Sequence, residues 1–380
     1  MTFSVDYHWD KLDCCVVGKT YPPDFFKFVK NSKVRNLMEK ISIETNDDLE
    51  KLSDLLNKFD VQVLRPELKN NLDSYDFGNR YLPPPLTPRD DMAIIGDTFF
   101  MPSTNKNGKW NSIRGDDWPI DPPSNYTEWN QLNQNIINEL HNVYNIENVA
   151  DCYYRDYSSY KNVERLIKSN RNKIVYDTKV NSAMVYRLGK KLVFGTWNSD
   201  EINTVKQQAD LLFSDYNNYV IDSQGHLDGT IYPVTDGLLL ATSAIDINML
   251  NNAFPGWQII FLDDFDTQNQ SNSNYRQIKK FNQGKWLIPE QYSNKDTVDY
   301  IDNYFSNWLG DVSESVFGLN ILSIDKKNIA VSQENKVIFK IFEQYDVTPH
   351  VVKMRHSKFW DSGIHCMTND LNRISDGVGL

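Results

Sequence analysis

The chain has 380 residues, with 51 acidic and 40 basic side chains, so its formal charge at neutral pH is −11. This balance argues against nucleic acid or an anionic membrane as the main partner, because phosphate binding needs a basic face. Hydrophobic residues make up 40% of the chain and there are only 17 Gly and 15 Pro, which excludes disordered and collagen-like classes. A globular protein with a large core is expected.

The termini and the cysteines indicate a compartment. No apolar run approaches the ~18 residues of a membrane span, and residues 1–11 lack the charged and apolar regions of a signal peptide. The four cysteines, Cys14, Cys15, Cys152 and Cys366, contain no CxxC pair, so free thiols are expected. We therefore expect a cytoplasmic protein.

The predicted elements follow one order along the chain, which is a hairpin, a helix and a strand. The N-terminus supplies the strand CCVVG, a helix with an apolar face that includes Leu49 and Leu52, and a strand at 61–64. Four hairpins follow, each leading into a helical pattern and then an apolar strand. The hairpins span 92–101, 184–195, 230–241 and 319–332, and the helices are predicted at 126–144, 205–212, near 248 and at 337–345.

With the C-terminal segment closing the ring, these units number five. A single unit cannot bury both its sheet and its helix, so the pattern predicts one α/β domain over 1–380, a closed five-bladed α/β propeller. The loops at 81–91 and 103–126 are rich in Pro, Asn, Asp and Gly. We expect them to cover a functional site rather than to link two domains, because they flank strands.

Several polar residues could carry chemistry, each with a structural alternative. Cys366 follows Gly363 and His365, where a turn could present its sulfur to a cavity, although a lone cysteine is more often a buried apolar residue. His226 and Asp228 form an HxD pair whose side chains would share a face of an extended strand, and a structural role is at least as plausible.

Asp90 precedes a predicted strand and could be a solvated loop charge or could bind a planar cation. A carboxylate accepts paired N–H donors from a guanidinium in a fixed geometry, and Asp228 would supply a second carboxylate for one cationic substrate. His350 and His356 have no cysteine or carboxylate at ligand spacing, so neither a metal nor another cofactor is expected.

Seven segments in register resemble the glycine amidinotransferase family of the guanidino-group-modifying (pentein) superfamily. They are WDKLDCCVVGK, VLRPE, PRDDMAIIGD, RLGKKLVFG, GHLDGTIYPVTDGLLL, LNILSID and GIHCMTNDLNR, and together they cover nearly the whole chain. The resemblance implies a five-bladed α/β propeller with a central site, in agreement with the five units.

The resemblance also implies roles for single residues. Cys366 matches the nucleophile that attacks the guanidino carbon and holds the amidino group, and His226 matches the general acid and base. Asp90 and Asp228 match the carboxylates that hold the guanidinium, and Ser313 falls near the substrate.

Two positions depart from the family pattern. Asn181 stands where an aspartate normally pairs with the catalytic histidine, and an amide cannot stabilise an imidazolium by charge. Asp177, four residues earlier, is an alternative partner. Ile245 falls near the arginine that binds the donor's α-carboxylate in the family, which leaves the donor open between L-arginine and a related guanidine.

The sequence therefore predicts an amidinotransferase that moves an amidino group from L-arginine or a related guanidine to a primary amine such as glycine. A deiminase that gives the same intermediate to water, and a guanidino-binding relative that has lost turnover, are the alternatives. The expected partners are a small guanidino donor and an amine acceptor, with no nucleic acid and no membrane, and the assembly is open between a monomer and a homodimer.

Overall fold

The structure is a computed structural model. It describes residues 2–68, 76–77, 80–81, 83–101, 157–176, 180, 182–196, 199–223, 226–243, 245–262, 319–360 and 362–375. The predicted helix at 126–144 and the loop at 103–126 lie outside these residues. Within them, no helix combines the length and the apolar composition needed to cross a membrane.

The described strands are short and their apolar residues are largely buried. They are β1 (Lys11–Val17), β2 (Gln62–Leu64), β3 (Asp76–Phe77), β4 (Arg80–Tyr81), β5 (Ala93–Ile95), β6 (Thr98–Met101), β7 (Lys173–Tyr176), β8 (Val185–Leu188), β9 (Lys191–Thr196), β10 (Asn217–Asp222), β11 (Ile231–Thr235), β12 (Leu238–Ala241), β13 (Gln258–Phe261), β14 (Leu322–Ser323), β15 (Asn328–Val331), β16 (Thr348–Val351) and β17 (Thr368–Ile374).

The described α-helices are α1 (Ser32–Lys58), α2 (Lys161–Ser169), α3 (Ile202–Leu212), α4 (Ile247–Ala253), α5 (Lys336–Gln344) and α6 (Ser357–Trp360). Three of these helices have an asparagine or aspartate side chain as their N-terminal cap. Asn31, Asp246 and Asn335 accept hydrogen bonds from backbone N–H groups in the first turns of α1, α4 and α5, which satisfies donors that have no partner inside the helix.

Five sheets of three strands share one topology in the described chain. In each, the first two strands are antiparallel and the third is parallel to the second: β17-β1-β2, β5-β6-β7, β8-β9-β10, β11-β12-β13 and β14-β15-β16. A helix from α1 to α5 lies in the chain between the second and third strands of each sheet. The predicted order of hairpin, helix and strand is therefore confirmed, and the chain is an α/β protein.

Glycine permits three of the predicted hairpins to turn. Gly96, Gly189 and Gly237 have φ values of 56°, 67° and 81°, a region that residues with a Cβ adopt at a cost. The N-terminal segment then ties two of these hairpins together, because Val5 pairs with Gly96 and Tyr7 pairs with Leu188.

The two ends of the described chain meet in one sheet. β17 pairs antiparallel with β1, with Val17 opposite Thr368 and Lys11 opposite Ile374. This pairing places the turn that carries Cys366 directly at the start of a buried strand.

Candidate active site

The predicted site residues lie just before the first strands of different sheets. Asp90 precedes β5, His226 and Asp228 precede β11, and Cys366 precedes β17. Asn320, which the sequence analysis did not select, holds the same place before β14. Each side chain is therefore positioned at the entrance of a buried strand.

Cys366 lies in a tight turn between Gly363 and β17. The Met367 N–H donates to the Gly363 carbonyl at 3.0 Å, and the Thr368 hydroxyl donates to the Ile364 carbonyl at 2.8 Å. Cys366 itself is 4% exposed. The sulfur is thus buried and held by a turn with defined hydrogen bonds.

Asn320 contacts Cys366 at two points. Its Oδ1 accepts from the Cys366 N–H at 3.0 Å, and its Nδ2 donates to Sγ at 2.9 Å. Gly363 makes this approach possible, because a Cβ there would lie 2.6 Å from the Asn320 Cβ. Asn320 was missed because a single asparagine before a strand carries no motif of its own.

Asp228 contacts both residues of the His365–Cys366 pair. Its Oδ2 lies 2.7 Å from His365 Nδ1 and 3.5 Å from Cys366 Sγ. A carboxylate can only accept, so His365 is the donor in this contact. Asp228 therefore contacts both the sulfur of Cys366 and the imidazole of His365.

His365 is a buried imidazole whose surroundings disfavour its charged form. Burial lowers its pKa well below the ordinary value, and the nearby Arg89 guanidinium lowers it further. The sequence analysis used His365 only as part of a motif, and the structure gives it a defined contact with Asp228.

The expected strand around His226 and Asp228 is wrong. Leu227–Gly229 is a short 3₁₀-helix with His226 at its N-cap position, and Gly229 and Thr230 donate back to the carbonyls of His226 and Leu227. The tight turn, not an extended chain, sets the directions of the two side chains.

His226 lies beside Asp90. Its Nδ1 is 3.8 Å from Asp90 Oδ1, and the two side chains are 22% and 14% exposed. At this separation the two side chains lie within ion-pair range but are too far apart for a hydrogen bond. The pair is more open to solvent than Cys366.

Arg89 connects the turn of Asp90 to the turn of Cys366. Its Nε donates to the carbonyls of His365 and Thr368 at 2.7 and 3.0 Å, and its Nη2 lies 3.0 Å from Asp370 Oδ1. Burial opposes the charge of Arg89, but Asp370 and Asp228 raise its pKa above the ordinary value.

Asp370 is the centre of a buried cluster of arginines. Arg187 contacts both of its oxygens, at 3.0 and 2.9 Å, and Arg373 donates to it at 2.8 Å. Burial opposes its ionisation, but Arg187, Arg373 and Arg89 hold its pKa well below the usual range. Three guanidinium groups around one carboxylate leave a positive field next to the site.

Two other cysteines are buried in strand β1. Burial raises the pKa of Cys15 to about 12 and also raises that of Cys14. A thiol must form a thiolate to act as a nucleophile, so both are chemically inert.

The remaining residues selected from the sequence are not part of the contact network that the structure describes. Asn181, its alternative Asp177, and Ser313 lie outside the described residues. Ile245 is 3% exposed and belongs to a core cluster with Leu240. Among the residues described, no group of three His, Cys, Asp or Glu side chains is arranged to hold a metal ion.

Comparison with known proteins agrees with the motifs. A segment of 98 residues is 29% identical to the mitochondrial glycine amidinotransferase of Danio rerio, a match that spans 26% of this chain and 21% of that protein. No protein-family model matches the sequence.

Two solved amidinotransferases are similar to the chain over nearly its full length. Inosamine-phosphate amidinotransferase from Streptomyces griseus has a TM-score of 0.57 and 14% identity, covering 98% of this chain and 97% of the other. SxtG, an amidinotransferase of the saxitoxin biosynthetic pathway from Microseira wollei, has a TM-score of 0.58 and 15% identity, covering 98% of each chain. The resemblance to amidinotransferases is therefore confirmed, and the chain has their fold.

Proposed function

We propose that this chain is an amidinotransferase that uses Cys366 as a covalent nucleophile. The observation that carries the proposal is the buried sulfur of Cys366, which has the Asn320 amide 2.9 Å away and the Asp228 carboxylate 3.5 Å away. This arrangement occurs in a chain whose fold resembles that of two amidinotransferases. The donor is L-arginine or a related guanidine, and the acceptor is a primary amine such as glycine.

The first half-reaction transfers the amidino group to the enzyme. Asp90 and Asp228 hold the guanidinium and align its carbon with the sulfur, because paired carboxylate contacts fix a planar cation. The thiolate of Cys366 forms a bond to this carbon, the bond from the carbon to the alkylated nitrogen breaks, and His226 protonates the leaving amine.

The second half-reaction transfers the group to the acceptor. His226, now neutral, takes a proton from the incoming amine, whose nitrogen attacks the amidino carbon and displaces the sulfur of Cys366. Water in place of the amine would release this amidino group as urea. A deiminase instead expels ammonia in the first step, keeps the alkylated nitrogen on the carbon and hydrolyses that intermediate to citrulline, so the leaving group decides the class of reaction.

We also propose that the five sheets form the blades of a closed α/β propeller in one domain. Their shared topology supports this arrangement, as does the sheet in which the N-terminal β1 pairs with the C-terminal β17. Site residues at the entrances of β5, β11, β14 and β17 then face a common centre.

A product-resolved assay tests the function. The protein is incubated with L-arginine, with and without glycine, and ornithine, guanidinoacetate and citrulline are quantified. Formation of ornithine and guanidinoacetate supports amidino transfer. Formation of citrulline supports a deiminase. Binding of the donor without any of these products supports a guanidino-binding protein that has lost turnover. Agmatine and other guanidines extend the donor series if arginine gives no product.

Mass spectrometry tests the covalent step. Wild-type protein quenched during turnover is expected to carry an amidino group on Cys366, and Cys366→Ser is expected to lose ornithine release while keeping its fold. Cys14→Ala is the matched control, because Cys14 is a buried thiol whose raised pKa keeps it unreactive. Full activity of Cys366→Ser would refute covalent transfer.

A further inference from the structure

We infer that Asn320 is a positioning residue that stabilises the reactive thiolate of Cys366. The inference rests on the proposed function only in taking Cys366 to be the nucleophile. Asn320 and Cys366 are both buried, at 3% and 4% exposure, so the contact between them is shielded from water. A hydrogen bond to a charged group is strong in such surroundings.

The orientation of the Asn320 amide follows from the backbone. The N–H of Cys366 can only donate, so the atom facing it at 3.0 Å must be the amide oxygen. The amide nitrogen then faces Sγ at 2.9 Å and presents an N–H group to it. A donor in this position favours the thiolate over the thiol.

The charges near the sulfur have both signs, since Arg89 bonds to the carbonyl of the adjacent His365 and the Asp228 carboxylate contacts the sulfur itself. Asp228 Oδ2 lies 3.5 Å from Sγ, and a neighbouring carboxylate opposes a second negative charge. The proposed reaction requires Asp228 for the guanidinium, so this opposing charge is part of the site. The Asn320 N–H offsets it without adding a cation that would repel the donor.

Gly363 allows Asn320 to approach the turn of Cys366 closely. A Cβ at this position would lie 2.6 to 2.8 Å from three atoms of the Asn320 side chain, closer than side-chain carbons pack. The turn that carries Cys366 and the segment that carries Asn320 therefore pack closely against each other. A side chain at position 363 would displace the Asn320 amide from the sulfur.

The pH dependence of Cys366 alkylation tests the inference. Iodoacetamide is used as the probe, and modification of Cys366 is followed by peptide mass spectrometry in wild type, Asn320→Ala and Asn320→Asp. We expect the midpoint of the profile to rise by about one to two pH units in Asn320→Ala. Asn320→Asp keeps an oxygen for the Cys366 N–H but replaces the donor with a second carboxylate, so its midpoint should rise at least as far.

Asn172→Ala is the matched control. Asn172 is a buried amide that bonds to the backbone of Phe3 and Asp97. Its replacement should leave the midpoint unchanged. Folded Asn320 variants with the wild-type midpoint would overturn the inference.

If neither Asn320 variant folds, the wild-type protein decides the question. The side-chain amide signal of Asn320, followed by NMR with ¹⁵N-asparagine, must then move with the same pH midpoint as Cys366 alkylation, and a signal that stays fixed overturns the inference. Neither measurement requires a guanidine. A shifted midpoint without an amidino adduct would thus refute the proposed function alone, and an adduct without the shift would refute the role of Asn320 alone.

Discussion

The Asp228 carboxylate has opposite effects on the proposed donor and on the Cys366 thiolate. Its carboxylate suits a guanidinium substrate, but its Oδ2 lies 3.5 Å from the sulfur and disfavours the thiolate in the empty site. The same oxygen accepts a hydrogen bond from His365, whose pKa is lowered by burial. In the proposed mechanism, donor binding and nucleophile formation are therefore coupled through a single carboxylate.

The variant Asp228→Asn should separate these effects. Removing the charge is expected to lower the midpoint of Cys366 alkylation by about one pH unit, while weakening the capture of the donor by about ten- to a hundredfold. Alkylation profiles and the KM for the donor measure the two effects. Asp246→Asn is the control, since Asp246 caps α4 and asparagine caps a helix equally well.

A higher alkylation midpoint together with a higher donor KM would contradict this account. It would mean that the substitution disturbs the turn of Cys366 as a whole. Unchanged kinetics would remove Asp228 from the guanidinium site.

His226 has Asp90 as a charged neighbour although Asn181 replaces the carboxylate expected from the resemblance. We predict that Asp90→Asn lowers kcat and raises the donor KM, because His226 then holds a proton less firmly and the guanidinium loses a ligand. Asn181→Asp is expected to raise turnover at neutral pH by restoring a carboxylate.

The double variant gives the sharper test. Asn181→Asp added to Asp90→Asn should recover kcat without recovering the donor KM, since only the proton-transfer role can be supplied from position 181. If Asn181→Asp changes nothing and Asp177→Asn lowers kcat, then Asp177 is the partner of His226 and the assignment of Asn181 is wrong.

At the scale of elements, the site is built where the first strands begin. Asp90, Asp228, Asn320 and Cys366 each stand two or three positions before β5, β11, β14 and β17. The first residues of these strands are buried, which fixes the backbone next to each side chain. A repeated fold thus supplies equivalent positions that carry different chemical groups.

Arg89 holds two of these entrances together, and its loss should be costly. We expect Arg89→Met to lower the free energy of unfolding by about 3 to 5 kcal/mol, because two carbonyls and Asp370 lose a buried donor. Arg89→Lys should also destabilise, since an ammonium cannot reproduce the planar geometry of a guanidinium. Urea unfolding measures both.

Arg165→Met is the matched control for this prediction. Arg165 pairs with Glu67 at 3.1 Å on the surface, where its side chain is 70% exposed, and such pairs contribute at most about 1 kcal/mol. Equal losses for the buried and the exposed arginine would contradict the structural role given to Arg89.

The hairpins could be predicted from the sequence because local signals determine them. Alternating apolar residues around Gly96, Gly189 and Gly237 require a turn with positive φ, and the structure has one at each position. The helices after the last three hairpins were predictable for the same reason, since their apolar residues recur at helical spacing, whereas the helix Lys161–Ser169 was not predicted. No long-range information is needed for either.

The contacts inside the site are long-range and could not be read from single motifs. Asn320 and Cys366 are 46 positions apart, and Asp228 and His365 are 137 apart. The only sequence signal for Asn320 is its place before the first strand of a repeated unit, which becomes useful once the units are aligned on each other. The expected strand at His226 failed because the turn that forms there satisfies its own backbone groups.

At the scale of the whole molecule, buried neutral histidines make stability depend on pH. His8 is packed among Trp9, Tyr186 and Tyr232, and burial lowers its pKa from 6.5 to about 3. Burial also lowers the pKa of His365 well below the ordinary value. Between pH 6.5 and about 3 the unfolded chain binds a proton at His8 that the folded chain does not bind, so the folded state loses stability as the pH falls, and His365 acts in the same direction.

We predict that His8 contributes a loss of about 1.4 kcal/mol per pH unit below pH 6.5, and thus about 2.7 kcal/mol at pH 4.5. Urea unfolding at pH 7.5, 5.5 and 4.5 measures the slope in wild type and in His8→Gln. Glutamine can still donate to the Pro233 carbonyl that His8 contacts, but it does not titrate, so the variant should have a shallower slope whatever its stability at neutral pH. Equal slopes would mean that His8 takes up its proton in the folded state, which would require the aromatic cluster around it to open in acid.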